Sequence, residues 1–265
     1  MIPSRNDGIL SFSFDLFSRH PIQAEVITRK GGVSPVPWSS LNLGGTVGDD
    51  PAHVLENKRR VIKVFNLAPN KIFDVWQVHS SDCVYSNQPR PVDQPHVKAD
   101  IIISDEPGLA LFMRFADCVP IFIFDPIKKA IGIAHAGWQG TSKNVAGTLV
   151  NAMQTRFKSI PGELLAAIGP AICLKHYPVG HEVKDAIQAD IGDQIQDASS
   201  LVDGNIHIDL KKCNEIQLFQ AGVRLVENSE TCTVCENENW FSHRGENGKT
   251  GRFGAFIKLI DLYEN

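Results

Sequence analysis

The chain has few cysteines for its length, no surplus of charge of either sign, and no long apolar run. Six cysteines among 265 residues are too sparse for a disulfide framework, so reduced thiols are expected. Lys and Arg number 26 against 30 Asp and Glu, a formal net charge of -4, which leaves neither the basic surplus of a nucleic-acid binder nor an acidic tail. The first residues, M-I-P-S-R-N-D-G, lack the apolar core of a signal peptide, and no later stretch reads as a bilayer span. Neither an internal repeat nor a linker-like segment interrupts the chain. These absences lead to the expectation of one domain over residues 1–265, cytoplasmic, with neither nucleic-acid nor membrane partners and an open oligomeric state. What remains is 43% apolar and 21% charged, an ordinary globular composition with enough chain for a large core.

The most informative stretch runs from Phe115 to Ser142. Val119 to Phe124 and Ala130 to Ala134 are two apolar, β-rich runs separated by a break at Asp125-Pro126. Cys118 opens the first run and His135 follows the second, so an antiparallel hairpin sets a thiol beside an imidazole. Taken singly, a buried cysteine or a strand-end histidine is usually structural. Their pairing, with polar Asp117 adjacent, points to a site. Gly137 and Gly140 then feed Thr141 and Ser142, which read as a helix start able to receive an anion.

Elsewhere, Ala24 to Thr28 reads as a strand, followed by the glycine- and proline-rich loop R-K-G-G-V-S-P-V-P-W-S-S-L-N-L-G-G. Arg29, Lys30 and Asn42 in that loop are available to a polar ligand. Asp49-Asp50-Pro51 starts a helix, with Leu55, Ile62 and Phe65 as its expected buried stripe. Arg59, near that stripe in angle, is expected to reach inward with Arg29 to hold an anion. Lys71 to Val78 reads as a strand ending at His79. Ala99 to Ser104, Leu109 to Phe115 and Leu164 to Ile168 are further strands, and His181 to Ile191 and Asp209 to Val223 are amphipathic helices. Thr141 is expected to cap a helix bearing Val145, Leu149, Met153 and Phe157. Cys232 and Cys235 form a C-x2-C with no second cysteine pair, and so read as ordinary strand thiols; Cys173 and Cys213 are assigned to the core.

Together, G-G-V-S, S-L-N-L-G, Q-V-H, K-A-D, A-D-C-V-P, A-H-A-G-W-Q-G-T, I-G-P-A-I, Y-P-V-G-H-E-V and T-G-R resemble the YfiH-like family. These are the laccase-domain or "polyphenol oxidase" proteins, many of them described as purine nucleoside phosphorylases. The resemblance runs from about Thr28 to Lys258. It implies an α/β/β/α layered sandwich of mixed α/β class and a zinc site made by His79, Cys118 and His135. It also implies phosphorolysis of adenosine, inosine, guanosine or methylthioadenosine to base and ribose 1-phosphate, with adenosine deaminase activity.

Two imidazoles and a thiolate suit zinc and leave a fourth position open; the same set also resembles a copper site. Cys118, His135 and Asp117 are the candidate catalytic residues, and Arg29, Asn42, Arg59, Gln139 and Arg244 the candidate substrate contacts. Three alternatives stay open: a metal-free Cys118–His135 hydrolase or deamidase, a copper-dependent polyphenol oxidase, and a non-enzymatic metal- or partner-binding protein. One departure from the family pattern stands out: the tail reads H-R-G, with Gly245 where a second arginine is usual.

Overall fold

Two six-stranded sheets packed face to face carry the apolar runs. The computed structural model describes residues 1–91 and 93–261. An N-terminal hairpin of β1 (Ile2–Asn6) and β2 (Ile9–Ser13) leads to β3 (Ile22–Ile27), then α1 (Pro51–Val64), β4 (Ile72–Asp74) and β5 (Cys83–Tyr85). The central strands follow as β6 (Ile101–Ser104), β7 (Ala110–Phe115), β8 (Val119–Asp125) and β9 (Ala130–Ala136). Next come α2 (Trp138–Ser142), α3 (Val145–Phe157), β10 (Leu165–Ile168), β11 (Pro178–Val179) and α4 (His181–Ile191). The chain finishes with β12 (Ser199–Val202), β13 (Asn205–Ile208), α5 (Leu210–Gln220), β14 (Leu225–Asn228) and β15 (Phe253–Leu259).

The first sheet has the order β1-β2-β3-β15-β7-β4, the second β14-β10-β8-β9-β6-β5, and a small third sheet the order β11-β13-β12. Every residue of β8 and β9 is buried, because both faces of the second sheet are covered. Their side chains divide with the period of two that a pleated strand imposes. Val119, Ile121 and Ile123 face α3, α4 and α5, whereas Phe122 and Phe124 face the first sheet. On the first sheet Leu111, Met113 and Phe115 point to the inter-sheet core, and Ala110 and Phe112 point outward to α1. The layers are therefore helix, sheet, sheet, helices, as the family resemblance implies. Gly132 on β9 lets α3 come close: a Cβ there would lie 2.7 Å from Leu149 Cδ1.

Three local expectations are corrected. The strand expected over Lys71 to Val78 ends at Asp74, and beyond it only Trp76 bridges, to Lys98. Thr141 does not cap the long helix. It is buried, with Asn214 Nδ2 bonding its hydroxyl at 2.9 Å and Gln217 Nε2 its carbonyl at 2.6 Å, while Asn144 caps α3 by accepting from Gly147 N. Of the stripe expected for α1, Phe65 is buried and Ile62 packs half-buried against the same cluster, but Leu55 is 69% exposed and the buried positions within the helix are Val54, Asn57 and Val61. Asn57 occupies that stripe because it serves the loop above it, accepting from Val33 N and donating to Ser34 Oγ, Ser40 O and Asn42 O.

Candidate active site and metal centre

The β8–β9 register pairs Val119 with Ala136 and Pro120 with His135, so Cys118 and His135 meet at one end of the hairpin. His79 reaches the same point from the segment after β4, in a left-handed conformation with φ 58°. That backbone is held by Asp100, which accepts from Val78 N at 3.1 Å and Ser80 N at 2.7 Å, and by Lys143 Nζ on the His79 carbonyl at 3.2 Å. The donor atoms of His79, Cys118 and His135 all lie within 4.8 Å of one another. A Cβ added to Gly137 would fall 2.9 Å from His79 Nδ1 and 3.0 Å from Cys118 Sγ, so the cradle requires glycine.

Asp100 is the residue that sequence reasoning passed over, although K-A-D was in view. It is fully buried, and its Oδ1 lies 2.8 Å from His135 Nδ1. Burial opposes its ionisation, but the His135 ring and the Ser80 and Val78 amides outweigh that and lower its pKa. An ionised carboxylate only accepts, so Nδ1 carries the proton and Nε2 is left as the ligand atom. Burial likewise disfavours the His135 imidazolium. The charge on the Cys118 sulfur and the Asp100 bond overcome it and lift the pKa to about 9. His79 moves the other way, lowered first by burial and then by the neighbouring His135 charge. Two imidazoles and a thiol whose donor atoms converge suit a zinc ion.

The trio opens onto a cavity of about 710 Å³ that Asp117, Gln139 and Arg244 also line. The cations on its wall are Lys58, Arg114, Arg244 and Arg252. Its aromatic surface comes from Trp76, Trp138 and Tyr177. Asp74 anchors Arg114 at 2.5 Å and Arg90 at 2.6 Å. Burial works against that carboxylate, yet Arg114 and Arg90 hold its pKa down at about 2. Lys58 Nζ has no hydrogen-bond partner among the described residues, and burial followed by the Arg114 charge lowers its pKa.

Several expected substrate contacts lie elsewhere. Arg59 is 73% exposed and pairs with Glu56 at 2.8 Å on the solvent side of α1, so it does not reach the cavity. Arg29 is spent on Ser39 O, Asn237 O and Glu246 and stacks over Phe241, 4.3 Å from the ring centroid, beside a separate shallow cleft. Asn42 is buried and braces Gly44, Asp49 and Arg252 N rather than facing the cavity. Asp117 lines the cavity, but its two oxygens accept from Thr233 Oγ1 and Arg244 N, each at 2.6 Å. It clamps the loop that presents Cys118. The Gly137–Ser142 helix start is a five-residue turn, too short for a substantial dipole.

A family model described as "Multi-copper polyphenol oxidoreductase laccase" matches residues 23–260. The chain belongs to that family. Among its laccase-family relatives, "Purine nucleoside phosphorylase YlmD" of Geobacillus stearothermophilus is 37% identical over 88% of this chain and 89% of the relative. "Purine nucleoside phosphorylase YfiH" of Escherichia coli is 35% identical over 88% of this chain and 92% of its own. The crystal structure of YlmD from Geobacillus stearothermophilus superposes with a TM-score of 0.90 at 34% identity, covering 97% of this chain and 98% of that one. The layered mixed α/β architecture of this laccase-family chain is thus shared with solved relatives.

Proposed function

We propose that this protein is a zinc-dependent purine nucleoside phosphorylase that converts adenosine, inosine, guanosine or methylthioadenosine and phosphate to free base and ribose 1-phosphate. The observation that carries the reading is one cavity that joins the His79–Cys118–His135 trio to four cations and aromatic surface. Its volume, about 710 Å³, is within the range of small-molecule sites. The names of the relatives support the same reading.

Phosphate carries the charge that the wall is built to meet. Lys58, Arg114 and Arg252 are assigned to it: Arg114 is fixed by Asp74 and by Leu43 O at 2.9 Å, Arg252 by Gly251 O at 2.9 Å, and Lys58 keeps its ammonium uncommitted. Trp76, Trp138 and Tyr177 supply surface for the purine. Phosphate oxygen forms the new bond to the anomeric carbon as the glycosidic C–N bond breaks and its electron pair leaves with the base. A zinc ion on His79, Cys118 and His135 would supply Lewis-acid stabilisation of the charge developing on the bound nucleoside. Asp100 keeps His135 in the ligating tautomer, and Asp117 holds the Cys118 loop in place through Thr233 and Arg244. We assign adenosine deamination to the same cavity as an accompanying activity. The oxidase reading has less support: the trio offers the ligands of one ion, and the other donor group among the described residues contains a single histidine.

One observation favours a second reading. Cys118, His135 and Asp100 stand in series like a thiol, base and orienting carboxylate, which suits a metal-free hydrolase. Chelation separates the two. A phosphorylase of the proposed kind loses phosphate-dependent base release in chelator and regains it with zinc. Activity that survives complete metal removal and disappears on alkylation of Cys118 would establish the thiol enzyme instead.

A further inference from the structure

The six cysteines do not all behave as the C-x2-C spacing suggested. Outside the named strands, Cys232 makes an isolated β-bridge to Ala171 and Cys235 lies in the turn that follows, while Cys173, assigned to the core by sequence, is only half-buried beside them. Cys173 and His176 form a C-x2-H, and the fold brings it against the C-x2-C.

We propose that Cys173, His176, Cys232 and Cys235 form a second metal site, a closed structural zinc centre separate from the His79–Cys118–His135 trio. The distances fit a tetrahedral ion. With zinc about 2.3 Å from each sulfur and about 2.0–2.1 Å from a ring nitrogen, tetrahedral angles put sulfur and nitrogen about 3.5–3.6 Å apart. His176 Nδ1 lies 3.5 Å from Cys173 Sγ, 3.7 Å from Cys232 Sγ and 3.5 Å from Cys235 Sγ. Hydrogen bonding does not explain three sulfurs around one nitrogen, because that nitrogen has a single proton or a single lone pair. All three cysteines are free thiols.

The surroundings are those of a thiolate site. Cys173 N donates to Cys232 Sγ at 3.3 Å, and the Cys235 and His176 amides point at the sulfurs of Cys232 and Cys173. Three thiolates, one imidazole and a divalent ion sum to one negative charge. Buried Lys211, otherwise unexplained, supplies a nearby positive one while its Nζ holds Ser229 O and Thr231 O, just ahead of Cys232. The ion would tie the segment after β10, which carries Ile172 and Tyr177 of the cavity wall, to the segment that carries Thr233 and Arg244. Thr233 and Arg244 in turn hold Asp117 beside Cys118. The centre thus fastens one wall of the active cavity without touching it.

Zinc content of protein purified from zinc-supplemented cells tests this. The His79→Ala/Cys118→Ser protein is expected to retain one zinc per chain, and adding Cys235→Ser, an exposed position with little packing role, is expected to remove it. Alkylation of the unaltered chain, mapped by mass, gives an answer independent of variant folding: Cys173, Cys232 and Cys235 should be protected together and become reactive together in chelator. A His79→Ala/Cys118→Ser protein without metal, or cysteines that alkylate equally with and without chelator, or a Cys232–Cys235 disulfide in the purified chain would each overturn the proposal.

Discussion

Replacing Asp100 by Asn tests how the trio is assembled, because it removes one charge while keeping the side-chain volume. Asp100 accepts from Val78 N, Ser80 N and Ser80 Oγ through one oxygen and meets His135 Nδ1 at 2.8 Å through the other. An asparagine has one acceptor to offer. If its oxygen faces His135, its NH2 is aimed at the two backbone amides, each of which loses its acceptor at about 1–3 kcal/mol. If it is flipped, the NH2 faces Nδ1, the ring proton shifts to Nε2, and His135 can no longer ligate through that atom. In either orientation the ligand set is damaged. In the first orientation the apo fold should lose about 2–6 kcal/mol on urea unfolding, and in the second zinc affinity should fall about 10–100-fold, as for other carboxylates that orient a ligating histidine. Chelator competition in a Cys235→Ser background reads the affinity of the trio alone. Unaltered zinc affinity together with an unaltered urea midpoint would refute the role given to Asp100.

Three further outcomes are expected. Gly137→Ala should weaken metal binding and lower turnover without an unfolding defect, because its φ of -77° accepts alanine while the added Cβ would crowd His79 Nδ1 and Cys118 Sγ; metal content and melting temperature check the two halves. Lys58→Ala should raise KM for phosphate far more than KM for nucleoside, whereas Arg59→Lys should leave both unchanged, since Arg59 faces solvent. The Asp74 carboxyl has its folded pKa depressed to about 2 by Arg114 and Arg90 against the burial penalty, so its contribution is present above the unfolded carboxyl pKa and disappears as pH falls through the folded one. On the order of 2 kcal/mol of stability should therefore be lost between about pH 4 and pH 2 in the parent and be missing from Asp74→Asn, measured by urea unfolding across that range.

The central hairpin was legible because both of its strands are buried on both faces, so their apolar runs needed no periodicity to be found. Cys118 and His135 were legible as a pair because the hairpin sets the start of one strand beside the end of the other, whereas His79 joined them only through the family resemblance, since it lies beyond the end of β4 at Asp74. Helix α1 was misphased, and the reason is specific. Asn57 is a core position whose amide satisfies the loop carbonyls, so an apolar stripe counted from Leu55 is turned by about one residue, or 100°. That single rotation sends Arg59 to solvent and Lys58 to the cavity. Arg29 was misplaced for a related reason: a cation in a glycine-rich loop resembles an anion holder, but this one supplies the hydrogen bonds its own loop lacks. The C-x2-C has no second cysteine pair in the sequence to complete a zinc set. Its partner is a C-x2-H, which the sheet topology brings alongside and spacing alone does not reveal.

The central claim is that the cavity beside His79, Cys118 and His135 performs metal-dependent phosphorolysis. The most direct measurement incubates metal-analysed protein with inosine, with and without phosphate, and follows free base and ribose 1-phosphate together. Phosphorolysis at this cavity requires base release that depends on phosphate, ribose 1-phosphate formed in equal amount, and loss of both in Cys118→Ser protein that remains folded. Base release accompanied by free ribose in the absence of phosphate, or no base release at any zinc loading, would contradict it.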